Sequence, residues 1–186
     1  MGKLIYSMNV SLDGYVATPE GGLDWSIVDE EVHGWWNDQQ RQEAAALYGR
    51  RLYETMAYWH TAESDPDANE VMLDFARAWN ATPKIVFSST LESVGDGCRL
   101  VQTGAVEAWP ALREEFEGDV SVGGPTLASA FIRAGLVDEY RLVVNPVVLG
   151  AGLPFFPQLD EPIRLELLET HRFASGATYL RYAALR

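Results

Sequence analysis

The sequence predicts a single α/β domain on a mostly parallel, twisted sheet of about eight strands, with an antiparallel hairpin at its C-terminal end. Three observations predict it. Short β-branched and aromatic runs alternate with stretches of helical length along most of the chain, the pattern of strands joined by crossover helices. The last two apolar runs, 163–173 and 178–184, flank Ser175-Gly176 as a hairpin would. The 186 residues, 47% hydrophobic and 22% charged, suit one domain over 1–186 with a sizeable core and no linker or repeat.

The elements follow in order. Residues 3–9 (KLIYSMN) form a strand, and 11–22 a loop with turn chemistry at Asp13-Gly14 and Gly21-Gly22. Residues 29–46 read as a helix with acids at its start, where the helix dipole favours them. A strand at 45–48 and a second helix at 50–57 come next, then a polar loop at 64–69 and a helix at 70–79. Lys84 to Phe87 is a compact strand, and 99–102 an edge strand. Residues 106–116 are helical despite Pro110, which suits a first turn better than a middle. A buried strand at 119–122 leads into a helix at 125–134. Residues 139–148 are a long strand interrupted by Pro146.

Composition excludes several function classes. Net charge is −13, from 27 acidic and 14 basic side chains, the opposite of a nucleic-acid-binding surface. That balance still permits a local basic pocket for one small anionic ligand. The lone Cys98 builds neither a disulfide framework nor a cysteine zinc site, and His33, His60 and His171 lack metal-ligand spacing. No metal is expected. No apolar run nears the ~20 residues of a membrane helix, and MGKLIYSMNV lacks a signal-peptide core. The expectation is a soluble cytoplasmic protein with no membrane or nucleic-acid partner.

Gly123 and Gly124 fall where a strand ends and a helix begins, an arrangement that exposes backbone N–H groups to an anion. Taken alone, the pair fits a tight strand-to-helix turn with no ligand better than an anion site, and the GxGxxG fingerprint is absent. Gly49-Arg50-Arg51 places two arginines at another helix start, and Ser88-Ser89-Thr90 ends a strand in three hydroxyls. Arginines with hydroxyls form a phosphate shell. A solvated helix face and a helix cap are the plainer alternatives.

Together these stretches resemble the dihydrofolate-reductase-like superfamily, and within it the reductase domain of the bacterial bifunctional riboflavin-biosynthesis deaminase-reductase. Met8-Asn-Val-Ser-Leu-Asp-Gly14 is similar to the family's first strand and loop. Gly49-Arg50 with Tyr53-Glu54-Thr55 is similar to its Gly-Arg-x-Thr-x-Glu-Ser helix start. Val137-Asp-Glu and Pro146-x-x-Leu-Gly-x-Gly152 form the most specific match. The resemblance implies a three-layer sandwich with NADPH across the carboxyl edge of the sheet. Gly49, Arg50, Arg51, Ser88, Ser89 and Thr90 would then meet its phosphates, and Gly123, Gly124, Pro125, Thr126 and Leu127 its pyrophosphate. The nicotinamide would lie near Met8 to Ala17, with Val16 and Ala17 as cofactor contacts and Met8 and Asn9 beside the substrate.

The resemblance also implies hydride transfer to a C=N or C=O of a small heterocycle, of the riboflavin-precursor type. The resemblance is to the reductase half alone, and a single cysteine would not build the deaminase half's zinc site. Leu52 and Ala128 stand where many folate reductases carry threonine and tyrosine, and no carboxylate matches their substrate-binding acid cleanly. Dihydrofolate reduction is therefore the alternative activity, and a non-catalytic nucleotide-binding homodimer the alternative class. Asp13 is the candidate acid, or the holder of a catalytic water, unless it is simply a turn residue. Asp29, with Glu30 and Glu31 as equal alternatives, is a further candidate for the substrate side, charge at a helix N-terminus being the plainer reading of all three. Trp25, Tyr53 and Met56 are candidate pocket walls. Residues 141–148 and 150–157 hint at a homodimer, although Phe155 and Phe156 equally suit the chain's own core.

Overall fold

The computed structural model describes residues 2–185. In chain order the elements are β1 (Leu4–Ser11), β2 (Tyr15–Ala17), α1 (Glu30–Gln42), β3 (Ala45–Gly49) and α2 (Arg50–Met56). Two short 3₁₀ turns, Ala57–His60 and Ala62–Ser64, precede α3 (Glu70–Ala81), β4 (Lys84–Phe87), β5 (Cys98–Val101) and α4 (Ala105–Glu115). Then come β6 (Val120–Gly123), α5 (Pro125–Arg133), β7 (Glu139–Asn145), β8 (Leu153–Pro154), β9 (Leu165–Arg172) and β10 (Thr178–Ala184).

Eight strands form one sheet in the order β5-β4-β3-β6-β1-β7-β10-β9. The first six run parallel; β10 is antiparallel to both β7 and β9. Side-chain alternation divides this sheet between two helical layers. Leu4, Tyr6, Leu47, Ile85, Val120 and Val122 share the largest core cluster with Trp109 of α4 and Phe131 of α5. The intervening residues Ala46, Tyr48 and Val86 pack with Phe75 and Trp79 of α3, and Val143 and Tyr179 with Val32 of α1. The result is a three-layer sandwich.

Most sequence-derived boundaries move by one or two residues, and a few elements change more. The helix expected at 29–46 stops at Gln42, because the apolar run from Ala45 is fully buried as β3. Asp29 lies outside it as the N-cap, accepting from the Val32 N–H at 2.9 Å. The strand expected at 139–148 ends at Asn145, ahead of Pro146, which has no N–H for the ladder. The loop at 11–22 contains β2, paired antiparallel with β8. Helix α4 runs through Pro110, anchored by the buried Trp109 and Leu112 on either side. Phe155 closes the chain's own core, 1% exposed and stacked on Tyr6 at 4.1 Å.

Candidate functional site

Because β4, β3, β6, β1 and β7 are adjacent and parallel, their carboxyl ends share one edge of the sheet. At about 4.8 Å per strand this edge runs roughly 19 Å. Ligands in open α/β sheets bind outside such an edge. The segments that leave it carry Ser88–Thr90, Arg50–Arg51, Gly124–Thr126, Leu12–Gly14 and Pro146.

The β4/β3/β6 half carries two arginines, three consecutive hydroxyls and two helix starts without first-turn acids. Arg50 and Arg51 open α2, whose first turn holds no acid and whose Gly49 cap makes no side-chain bond. The Arg50 guanidinium donates to Thr90 Oγ1 at 3.0 Å and to Glu54 Oε1 at 2.7 Å. Arg51 is exposed and has no side-chain partner among the described residues. Ser88 Oγ accepts from the Thr90 and Leu91 N–H groups at 3.2 and 3.0 Å, closing the turn that leaves Ser89 and Thr90 exposed. Helix α5 likewise has no side-chain cap and no first-turn acid, and Thr126 is exposed at its start.

The glycine pair serves the chain's own packing as well. A Cβ at Gly123 would come within 2.5 Å of Leu52 Cδ2 and 3.0 Å of Tyr48 Cε1. Gly124 holds φ at +83°, a conformation that L side chains rarely adopt. Leu52, a departure from the folate-reductase pattern, thus sits over the first glycine.

The β1/β7 half is organised by Asp13. Its Oδ1 accepts from Ser11 Oγ at 2.7 Å and the Leu149 N–H at 3.1 Å, and its Oδ2 from the Gly150 N–H at 2.7 Å. The Ser11 hydroxyl, then the two backbone donors, hold its carboxyl below the usual carboxylate range. A Cβ at Gly152 would collide with the Ala17 carbonyl oxygen, so β8 can lie against β2 only with glycine there. These contacts join the Ser-Leu-Asp-Gly and Leu-Gly-x-Gly stretches, far apart in sequence, into one unit.

The expected substrate residues separate. Asn9 faces α1 and accepts from Trp36 Nε1 at 3.2 Å. Met8, one position earlier, points to the opposite face and packs against the main core. Tyr53 is 8% exposed, packed against Phe75 and Trp79, and its hydroxyl accepts from the Gly95 N–H at 2.8 Å. Met56 packs against the same cluster. Tyr53 thus lies in the core, and Met8 is partly buried against it. Val16 is likewise a core residue, and Ala17 is buried beside it. Trp25 is half-buried, its Nε1 donating to the Gly22 carbonyl at 3.2 Å.

Two organising residues escaped the sequence reading. Asn145, fully buried at the end of β7, accepts from the Ile27 N–H at 2.8 Å and donates to the Val10 and Val143 carbonyls. It fixes the segment leading into α1 against the sheet edge. Its signal was the Asn-Pro pair at a strand end. Trp36 gave no signal beyond its place on a helix.

The model of the RibD C-terminal domain family matches residues 2–179. An uncharacterised Bacillus subtilis protein, YyaP, is 30% identical over 97% of this chain and 94% of its own. Among solved structures, a deaminase/5-amino-6-(5-phosphoribosylamino)uracil reductase from Thermotoga maritima superposes with TM-score 0.69 at 14% identity, covering 99% of this chain and 57% of that one. The Enterococcus faecalis dihydrofolate reductase complexed with NADP(H) gives TM-score 0.65 at 20% identity, over 100% and 98% of the two chains. The fold is dihydrofolate-reductase-like.

Proposed function

The chain belongs to the RibD C-terminal domain family, and from that footing we propose an NADPH-dependent reductase that delivers hydride to a C=N or C=O bond of a small heterocycle of the riboflavin-precursor kind. One observation carries the reading: a half with two arginines and three consecutive hydroxyls and a half clamped by Asp13 lie side by side on a single sheet edge.

The donor set of the first half fits the cofactor. Arg50, Arg51, Ser89 and Thr90 would hold the adenosine phosphate, and the start of α5 with Thr126 the pyrophosphate. When bound, NADPH supplies the hydride from its nicotinamide C4. The chain's own residues place the reacting partners and exclude water. Asn9, held by Trp36, offers its side-chain amide to the substrate ring. Asp13 is ionised at neutral pH and accepts three hydrogen bonds, so in this proposal it positions the loop and a water delivers the proton. A homodimer is retained as part of the proposal, resting on exposed Leu12 and Val148 rather than on Phe155.

The test is a titration with NADPH and NADH, read by nicotinamide fluorescence. NADPH is expected to bind at least tenfold tighter, since one phosphate clamp is worth more than a kcal/mol. Arg50→Ala and Arg51→Ala should erode that preference while leaving NADH affinity nearly unchanged. Binding of neither cofactor would sink the reading.

A further inference from the structure

The two faces of the sheet are packed differently. On the α4/α5 face one apolar cluster runs unbroken from β4 to β7, and Tyr6, Met8 and Val10 of β1 pack in it. On the α1/α3 face two clusters stand apart. One covers β3 and β4 with Ala46, Tyr48 and Val86; the other covers β7 and β10 with Val143 and Tyr179. Between them lie β6 and β1, and past Ile5 alternation gives this face the polar Ser7, Asn9 and Ser11 of β1. The pairing of β1 with β6 stops at Tyr6–Val122, whereas with β7 it runs on through Asn9–Val143 to Ser11–Asn145. Asn9 therefore has a strand on one flank only, and its β6 flank is open at the carboxyl edge.

Hydrogen-bond chemistry fixes which end of Asn9 meets this gap. An indole N–H only donates, so the 3.2 Å contact from Trp36 Nε1 engages the amide oxygen Oδ1. The amide nitrogen Nδ2, with two hydrogens to donate, has no partner among the described residues and is accessible rather than buried. Trp36 is itself anchored. It meets Trp35 edge-on at 4.9 Å, Trp35 lies against Tyr179 at 4.4 Å, and Trp36 packs against both clusters across the gap. The Ser7 hydroxyl can donate or accept, so Asn9 sets the polarity.

Resting on the reductase reading above, we propose that Asn9 selects the substrate by a ring carbonyl: its Nδ2 donates to an exocyclic oxygen of a pyrimidinedione-type heterocycle, and Trp36 is the positioning residue that keeps this end outward. A ring that turns an amino group to the same spot sets donor against donor. Both N–H groups then lose their water and gain no partner, which costs more than a merely weaker contact. The gap thus separates a 2,4-dioxo ring from a 2,4-diamino ring of the same shape.

The matched pair is 5,6-diaminouracil and 2,4,5,6-tetraaminopyrimidine, which carry carbonyls or amino groups at ring positions 2 and 4. Each is titrated by calorimetry into the protein with and without saturating NADPH. Failure of the cofactor reading then shows in the NADPH titration alone, and the ring titrations stand by themselves. The dione should bind tenfold or more tightly than the tetraamine. Asn9→Asp keeps one oxygen for Trp36 and turns a second outward, so it should reverse the order. Trp36→Phe keeps an aromatic ring but frees the Asn9 amide to turn, so the ratio should shrink to within about threefold while melting temperature and NADPH affinity hold. Equal binding of the two rings by the wild-type protein, tighter binding of the tetraamine, or binding of neither overturns the proposal. So does an Asn9→Asp or Trp36→Phe protein that melts as the wild type does and keeps the wild-type ratio.

Discussion

Asp13 has three donors on its two oxygens, and that arrangement decides what it can do. A general acid must hold a proton near working pH, whereas each of these donors stabilises the ionised form. The same bonds pin the 149–150 backbone against the loop after β1. Asp13→Asn replaces one acceptor oxygen with an N–H that faces the Gly150 or Leu149 donor. NADPH affinity and turnover should therefore fall together, several-fold each, with no new acid limb in the pH–rate profile. A loss of turnover alone, at unchanged affinity and melting temperature, would return Asp13 to the chemistry. The sequence showed this residue and its loop but not its partners, because Leu149 and Gly150 contribute only backbone N–H groups.

At the scale of elements, Glu139 joins three strands. It opens β7 at 1% exposure, accepts from Arg181 Nε of β10 at 2.8 Å and from Arg141 at 3.2 Å, and pairs with Lys3 at the head of β1. Burial alone would raise its carboxyl; Arg181, Lys3 and Arg141 together overcome that and bring it down to about 2. Glu139→Gln leaves Arg141 buried without its counter-charge and should destabilise by about 3 kcal/mol, read from a urea midpoint. A change under about 0.5 kcal/mol, the size of a surface substitution, would show the cluster to be energetically idle.

Long elements were legible for a related reason: patterning declares whichever face they bury. β3, β4, β6 and α3 have buried apolar residues at their proper spacing. β2 and β8 escaped, since three and two residues carry no periodicity. They exist because the Asp13 clamp brings their loops together. Residues 45–46 read as helix or strand, and burial of Ala45 and Ala46 settled the matter. Met8 and Asn9 were grouped by sequence, yet strand alternation sends them to opposite faces.

The molecule as a whole carries −13, and two of its glutamates titrate in opposite senses. Glu139, depressed to about 2 from 4.5, adds stability that is present above 4.5 and disappears as pH falls toward 2. Glu43 lies at the C-cap of α1, where it accepts from Ser121 Oγ at 2.6 Å and Gln40 Nε2 at 3.2 Å. Burial pushes its carboxyl from 4.5 up to about 7, against the pull of Ser121 and Arg141. Between those two values the folded chain keeps a proton that the unfolded chain has released. Stability therefore falls across that window as pH rises, by up to about 3 kcal/mol at 1.36 kcal/mol per pH unit. Mutual repulsion among the other acids grows in the same direction. The urea midpoint should thus peak near pH 4.5–5 and decline toward pH 7. Glu43→Gln keeps an acceptor for Ser121 without the ionisation, so it should flatten the decline and leave unchanged the acid limb, to which Glu139, Asp13 and Asp74 contribute. A wild-type midpoint that is level or rising from pH 5 to 7 would mean that Glu43 ionises in the fold as freely as in the unfolded chain.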